Sequence, residues 1–322
     1  MANRVIHDFF DPQYVMKYEA LRARIRENPG RPLWLVMGSS RVERGLRPEL
    51  LNGAQGDANA PMVYNFGLGG ASLFREFMCL RRVLESGIQP RVVGIELLGA
   101  ALSSDVFDES GSPILLIRAR KDELPDYIKH GADPGVLLPT WRESRWNPFY
   151  EFGMRMPKQT LAWRLIPLPG MRRIEGVPYN KWGWYPEPPA PIPESDYQRA
   201  FAIAKSQFAN RFDNFQISSK SDFPLRAMLD LCKARGITVF LLKMPEDNDF
   251  RSFYTPEADA RIAAYIQQIQ RDYPPAPLID ATTWIPKEGF TDGHHLNATG
   301  AEAFTHRFGE ELFKTVEAKS AQ

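Results

Sequence analysis

Three short clusters in this chain carry the residue types that covalent chemistry needs. Gly38-Ser39-Ser40-Arg41 follows the apolar run Leu33-Trp34-Leu35-Val36-Met37. A serine hydroxyl is a weak nucleophile until a neighbouring base takes its proton. Far downstream, Asp292-Gly293-His294-His295 supplies a base. A spacing of three lets Asp292 reach the ring of His295, and an orienting carboxylate fixes the tautomer and stabilises the imidazolium once it forms. Gly67-Leu68-Gly69-Gly70 is the third cluster. Glycines at the end of a strand let a main-chain N–H come close to an oxyanion.

Each cluster also has a plainer reading. Gly-Ser-Ser after a strand is a good turn or helix cap, and a helix start there would offer free N–H groups to a phosphate or sulfate. Clustered Asp and His can hold a metal, but a third and a fourth ligand are missing from the motif and the whole chain has five histidines. The glycine cluster makes a tight turn and lacks the spacing of a dinucleotide fingerprint. Around these clusters, Arg41 suits bidentate binding of a carboxylate, phosphate or sugar, or pairing with a nearby acid. Glu96, in an apolar run, suits either a buried ion pair or a substrate contact. Asn297 suits a helix cap. Trp184, in Trp182-Gly183-Trp184-Tyr185, either stacks on substrate or anchors its segment to the core.

The elements that must position these residues follow from periodicity. Runs at 33–37, 62–66, 92–97, 237–242 and 277–280 read as strands, with amphipathic helices at 11–28, 73–85, 223–235, 256–271 and 298–316. Alternating strands and helices predict one parallel sheet with helices on both faces, a three-layer α/β/α domain of flavodoxin-like order with five strands. Gly38 predicts a sharp turn at the first strand's carboxyl end, where open α/β sheets bind ligands. Between about 103 and 221 the alternation stops. That insertion holds Trp141, Trp146, Trp163, Trp182 and Trp184, a proline-rich stretch at 186–193, and helical patterns at 122–130 and 196–212. Its aromatic content argues for packing over the sheet's edge or the crevice rather than disorder.

Composition narrows the class. The chain has 322 residues, 43% hydrophobic and 12% aromatic, enough for a sizeable core in one domain. Forty basic residues against 39 acidic ones leave a net charge of +1, which favours neither nucleic acid nor an anionic membrane. Cys79 and Cys232 read as buried free thiols, and two cysteines build no disulfide framework or zinc site. No apolar run spans a membrane, and the amino terminus lacks the core of a signal peptide. The expected location is cytoplasmic.

Taken in order, the three clusters resemble the blocks of the SGNH (GDSL-like) hydrolase superfamily, in the branch whose first block reads Gly-Ser-Ser-Arg. The match covers about 31–100 and 222–316 and excludes the insertion. The resemblance implies that Ser40 is the nucleophile, with Ser39 where aspartate is commoner, and that Asp292 and His295 are the Asp-x-x-His block. Asn65-Phe66-Gly67-Leu68-Gly69-Gly70 lies on the family's Asn-x-Gly-x-x-Gly, which makes Gly70 an oxyanion donor beside the N–H of Ser40. The third block departs: Ala100 stands where an asparagine would donate, and Arg41 or an insertion side chain would have to replace it. Acyl-transferring relatives with a similar first block also tend to depart there. The implied activity is that of a serine-dependent esterase or acyl transferase, without cofactor or metal. Its substrate would be a small acyl ester or an acylated glycan, with Arg41, Asn65 and Trp184 as candidate contacts. The alternative is a non-catalytic ligand- or glycan-binding protein that keeps the crevice.

Overall fold

The computed structural model describes residues 11–52, 60–103, 118–146 and 179–320. Five strands, β1 (Leu33–Gly38), β2 (Met62–Gly67), β3 (Val92–Glu96), β4 (Thr238–Lys243) and β5 (Leu278–Asp280), form one sheet in the order β2-β1-β3-β4-β5. Every pairing is parallel, with Leu33 opposite Met62, Trp34 opposite Val92, Val92 opposite Thr238 and Leu241 opposite Leu278. Strand runs short enough to be helix turns become strands here because they are predominantly apolar, with Asn65 in β2 and Glu96 at the end of β3 as buried polar exceptions. All six residues of β1 and all six of β2 are buried, as a sheet covered on both faces requires.

Successive side chains of a strand point to opposite faces, and the two faces have separate covers. Trp34, Val36, Val63, Phe240, Leu242 and Ile279 pack with Phe304, Phe308, Leu312 and Val316 of the closing helix Ala298–Ser320. The helices Leu73–Glu85 and Ser219–Ala234 pack against each other and touch β1 and β4 respectively. Pro256–Asp272 lies alongside the second of these, held by Tyr265 Oη to Asp222 at 2.8 Å and by Arg226 to Asp272 at 2.8 Å. The three-layer fold is therefore the expected one.

Element boundaries shift where capping overrides hydrophobic pattern. Ser219–Ala234 begins four residues before its first aromatic position because Ser218 caps it, accepting a hydrogen bond from Lys220 N. An additional helix, Pro134–Trp146, follows Leu124–Lys129, and the expected 196–212 helix runs as Glu194–Phe208 with a 3-10 turn after it.

The chain divides into two compact units, one of 1–18 with 107–177 and one of 19–106 with 178–322. In the first, Trp141 Nε1 and Arg145 both donate to Ala119 O, at 2.8 and 2.7 Å. Trp163 lies outside the described residues. The second unit contains the sheet and the segment 179–218. There Trp182 O accepts from Asn65 N on β2 at 3.1 Å, and Tyr185 N donates to Glu43 O at 2.9 Å. The proline-rich stretch runs against the start of the closing helix, with Pro188 O accepting from Ala298 N at 3.0 Å. Among the described residues, no helix is long and apolar enough to cross a membrane. Cys79 and Cys232 are buried free thiols.

Candidate active site

Ser40 is the first residue of a short helix, Ser40–Gly45, that starts directly beyond β1. Ser39 caps it in extended conformation, its Oγ accepting from Arg41 N at 3.3 Å. The turn is fixed from the next strand. Glu96, at the end of β3, accepts from Ser39 N at 2.7 Å and from Ser39 Oγ at 2.9 Å. Gly38 is required for a reason other than the expected one. Its backbone stays on the strand side of conformational space, but a Cβ there would sit 2.4 Å from Val42 Cγ2 and 2.7 Å from Glu96 Oε2. The glycine lets the helix and the Glu96 carboxylate close onto the strand end.

The second half of the site is the turn after β5. Phe290 and Leu296 form an antiparallel bridge, and Thr291 N donates to His295 O at 2.9 Å, closing a compact loop. Gly293, at φ +88°, makes the reversal possible. Asp292 Oδ1 then accepts from the main-chain N–H of His294 and of His295, at 3.1 and 2.8 Å. Asn297 caps the closing helix as expected, accepting from Gly300 N at 2.9 Å, and its Nδ2 ties back to Glu288 O at 2.7 Å.

These two halves, 255 residues apart in sequence, meet. His295 Nε2 lies 2.7 Å from Ser40 Oγ, and His295 Nδ1 lies 2.6 Å from Asp292 Oδ2. Burial works against the Asp292 charge, but the neighbouring His295 and His294 more than offset it and hold the carboxyl well below its usual range. Burial, followed by the charge of His294, pushes His295 down to about 4 against the pull of Asp292. At neutral pH the pair is therefore a carboxylate and a neutral imidazole. An ionised Asp292 can only accept, so Nδ1 carries the proton and Nε2 presents a lone pair to the Ser40 hydroxyl.

Asp292, His294 and His295 also bring one donor atom each within 4.8 Å of one another, so the motif itself gathers three possible ligand atoms, with no fourth residue in that group among the described residues. His294 Nδ1 lies 3.2 Å from Asp292 Oδ1 without forming a directed hydrogen bond. A metal would have to take the Asp292 oxygens and His295 Nδ1 that already hold the hydrogen-bonded chain to Ser40.

The three expected substrate contacts are not in the crevice. Arg41 is 2% exposed and points inward: Nη1 pairs with Glu246 at 3.0 Å, Nε lies 3.6 Å from Glu96, and Nη2 donates to Met244 O and Pro245 O at 2.9 and 3.0 Å. A guanidinium that desolvated stays inside only because two carboxylates and two carbonyls surround it. Asn65 is fully buried. Its Nδ2 donates to Val42 O, Glu43 O and Leu46 O, and its Oδ1 accepts from Gly67 N, so the side chain ties β2 to the Ser40 helix. Trp184 is buried too, with Nε1 donating to Arg44 O at 2.6 Å and Arg47 stacked 4.5 Å from its ring. The aromatic cluster anchors its segment to the core. Glu96 likewise takes its structural reading.

Gly70 is exposed in the left-handed region at φ +67°, with open space where a side chain would be. Ser40, as a first helical residue, has an N–H with no intrahelical acceptor. Ala100 is fully buried in a short helix, Gly99–Leu102, and has no side-chain donor, and Arg41, turned inward, does not replace one. Sequence reasoning missed a shell around the base turn: Asp247, Tyr197, Phe201, Phe208 and Phe250. The i, i+4, i+7, i+11 stripe at 197, 201, 204 and 208 was the available signal.

Residues 193–317, under half of the chain, match a protein-family model. No curated protein matches the chain. Among solved structures, a candidate acylhydrolase from Bacteroides fragilis is 13% identical over 92% of this chain and 96% of its own, at TM-score 0.37. A GDSL-like lipase from Bacteroides thetaiotaomicron is 12% identical over 96% and 99%, at TM-score 0.39. A Streptococcus pneumonia protein described as a candidate platelet activating factor is 11% identical over 97% and 98%, at TM-score 0.43. All three scores are low, and the functional reading rests on this chain's own side chains.

Proposed function

We propose that this chain is a serine-dependent esterase or acyl transferase of the SGNH type, with Ser40 as nucleophile, His295 as base and Asp292 as its orienting carboxylate. The observation that carries the reading is the unbroken chain from Ser40 Oγ through His295 to Asp292, at 2.7 and 2.6 Å. A hydroxyl and a neutral imidazole that merely cap turns have no cause to meet across the whole length of the chain.

In this reading the Ser40 proton passes to His295 Nε2 as Oγ attacks the carbonyl carbon of an ester. The resulting oxyanion takes hydrogen bonds from the N–H of Ser40 and of Gly70. Collapse breaks the bond to the leaving alcohol, which carries off the proton from His295. The acyl-serine is then resolved by water or by an acceptor alcohol, deprotonated by the same imidazole. Asp292 stays ionised throughout and stabilises the imidazolium. With one donor fewer than the family's usual set, the acyl-transfer rate is expected to be lower, by ~100- to 1000-fold for each donor lost. A small acyl ester or an acylated glycan is the substrate class that this reading favours.

The competing reading, a binding protein that keeps the crevice, draws on the alanine at 100. Hydrolysis of short-chain acyl nitrophenyl esters separates the two: the proposal expects turnover that Ser40→Ala abolishes. Turnover that survives Ser40→Ala, or none at any chain length, contradicts it.

A further inference from the structure

The helix Glu194–Phe208 belongs to the long excursion between β3 and β4, yet its buried face is spent on the turn that carries Asp292 and His295. Tyr197, Phe201, Ala204 and Phe208 fall on one face by spacing. Tyr197 Oη donates to Asp247 Oδ2. Asp247 in turn reaches the turn itself: its N–H donates to Gly293 O at 2.9 Å, while its Oδ1 caps the next helix by accepting from Phe250 N at 2.8 Å. Phe201 stacks on Tyr197 at 5.9 Å and closes over Gly293, where an added Cβ would lie 3.2 Å from its ring. Phe208 meets the His294 ring at 5.1 Å, and Phe250 stacks on the same ring at 5.0 Å. His294 is next to the base in sequence, and its ring centroid is 4.0 Å from that of His295.

We propose that Tyr197 is a positioning residue for the serine chemistry: through Asp247 and the Gly293 carbonyl, it fixes the turn that aims His295 at Ser40. The proposal rests on the functional reading above. The physical reason is that the turn has little to hold it otherwise. Gly293 sits in the left-handed region, and among the described residues the His295 main chain is hydrogen-bonded only within its own loop, to the Asp292 carboxylate and Thr291. The Tyr197–Asp247–Gly293 link adds a directional hydrogen-bonded tie from outside the loop to the ring contacts of Phe201, Phe208 and Phe250. Loss of it lets the imidazole swing relative to the serine, and a displacement near 1 Å costs about 100-fold in rate.

The test uses the full chain and two readouts. One is the second-order rate of labelling by a fluorophosphonate. The other is the far-downfield proton resonance of the His295 Nδ1–H shared with Asp292, which needs no substrate. Tyr197→Phe keeps the ring and its stacking and removes only the hydroxyl. The expected result is labelling slowed about 10- to 100-fold, with the downfield resonance broadened or lost. Ile203→Ala, at a residue of the same helix that is 57% exposed, is expected to change neither. Ile266→Val, in the core of a distant helix, controls for lost stability: it lowers the melting temperature and leaves the resonance in place. Labelling of Tyr197→Phe within about twofold of wild type, with the resonance intact, overturns the proposal. A wild type that takes no label refutes the serine chemistry instead, and the resonance still decides the positioning.

Discussion

Glu96 is the residue on which the nucleophile turn depends most, and removing it has a cost that can be worked out. Its Oε2 accepts two hydrogen bonds from Ser39, at 2.7 and 2.9 Å, in a site that is 2% exposed. Hydrogen bonds to a charged group contribute about 1.5–3 kcal/mol each. Arg41 loses one of two carboxylates, the one at 3.6 Å, and keeps Glu246 at 3.0 Å. Breaking a buried pair outright costs about 3–5 kcal/mol, and the remaining partner moderates that figure. Glu96→Ala is therefore expected to destabilise the fold by about 3–5 kcal/mol. Glu96→Gln preserves one oxygen acceptor for Ser39 but loses the charge and turns an NH2 donor towards Arg41 Nε, so about 1–3 kcal/mol is expected. Equilibrium urea unfolding of the two variants measures both, and fluorophosphonate labelling at low denaturant reports the turn itself. A cost below about 1 kcal/mol for Glu96→Ala would refute the reasoning, because it would mean that Ser39 and Arg41 are satisfied without the carboxylate.

Four further outcomes follow from the site. Because burial holds His295 near 4, reactivity should persist through mildly acidic pH and fall only as pH drops through that region. An acid limb centred at neutrality would contradict it. The same depression means that the unfolded chain binds the proton first, so His295 contributes stability that is complete above about 6.5 and declines towards pH 4. Gly293→Ala meets both a left-handed φ of +88° and an Asp247 oxygen 3.1 Å from the new Cβ; a loss of about 1–3 kcal/mol and of most labelling is expected, and wild-type behaviour would show that the turn is not constrained. Exhaustive chelation should leave the labelling rate unchanged, since Asp292 and His295 use their donor atoms on each other and on Ser40; a rate that falls on chelation and returns with zinc would favour the metal reading of Asp292, His294 and His295.

The sheet was legible in the sequence because parallel strands buried on both faces are continuous apolar runs, and each of the five stood between turn signals. That Asp292 reaches the His295 ring was legible from their spacing of three, and Ser40 from its place just past the first strand; the contact between Ser40 and His295 is what the fold adds. The supposed substrate contacts were not legible. Arg41, Asn65 and Trp184 were read from what their side chains can bind, and a chain shows nothing of burial depth: Arg41 faces Glu246, which is more than 200 residues away. Gly38 was marked correctly but for the wrong reason, since its need for space comes from Glu96 on a neighbouring strand. Tyr197 and Asp247 escaped notice because their pairing joins a helix of the irregular region to a loop after β4.

The most direct test of the account is intact-mass analysis after fluorophosphonate treatment of the wild type, Ser40→Ala and His295→Ala. The account predicts a single adduct on the wild type, mapped to Ser40 and absent from both variants. No adduct on the wild type, or one that persists in His295→Ala at the wild-type rate, would contradict it.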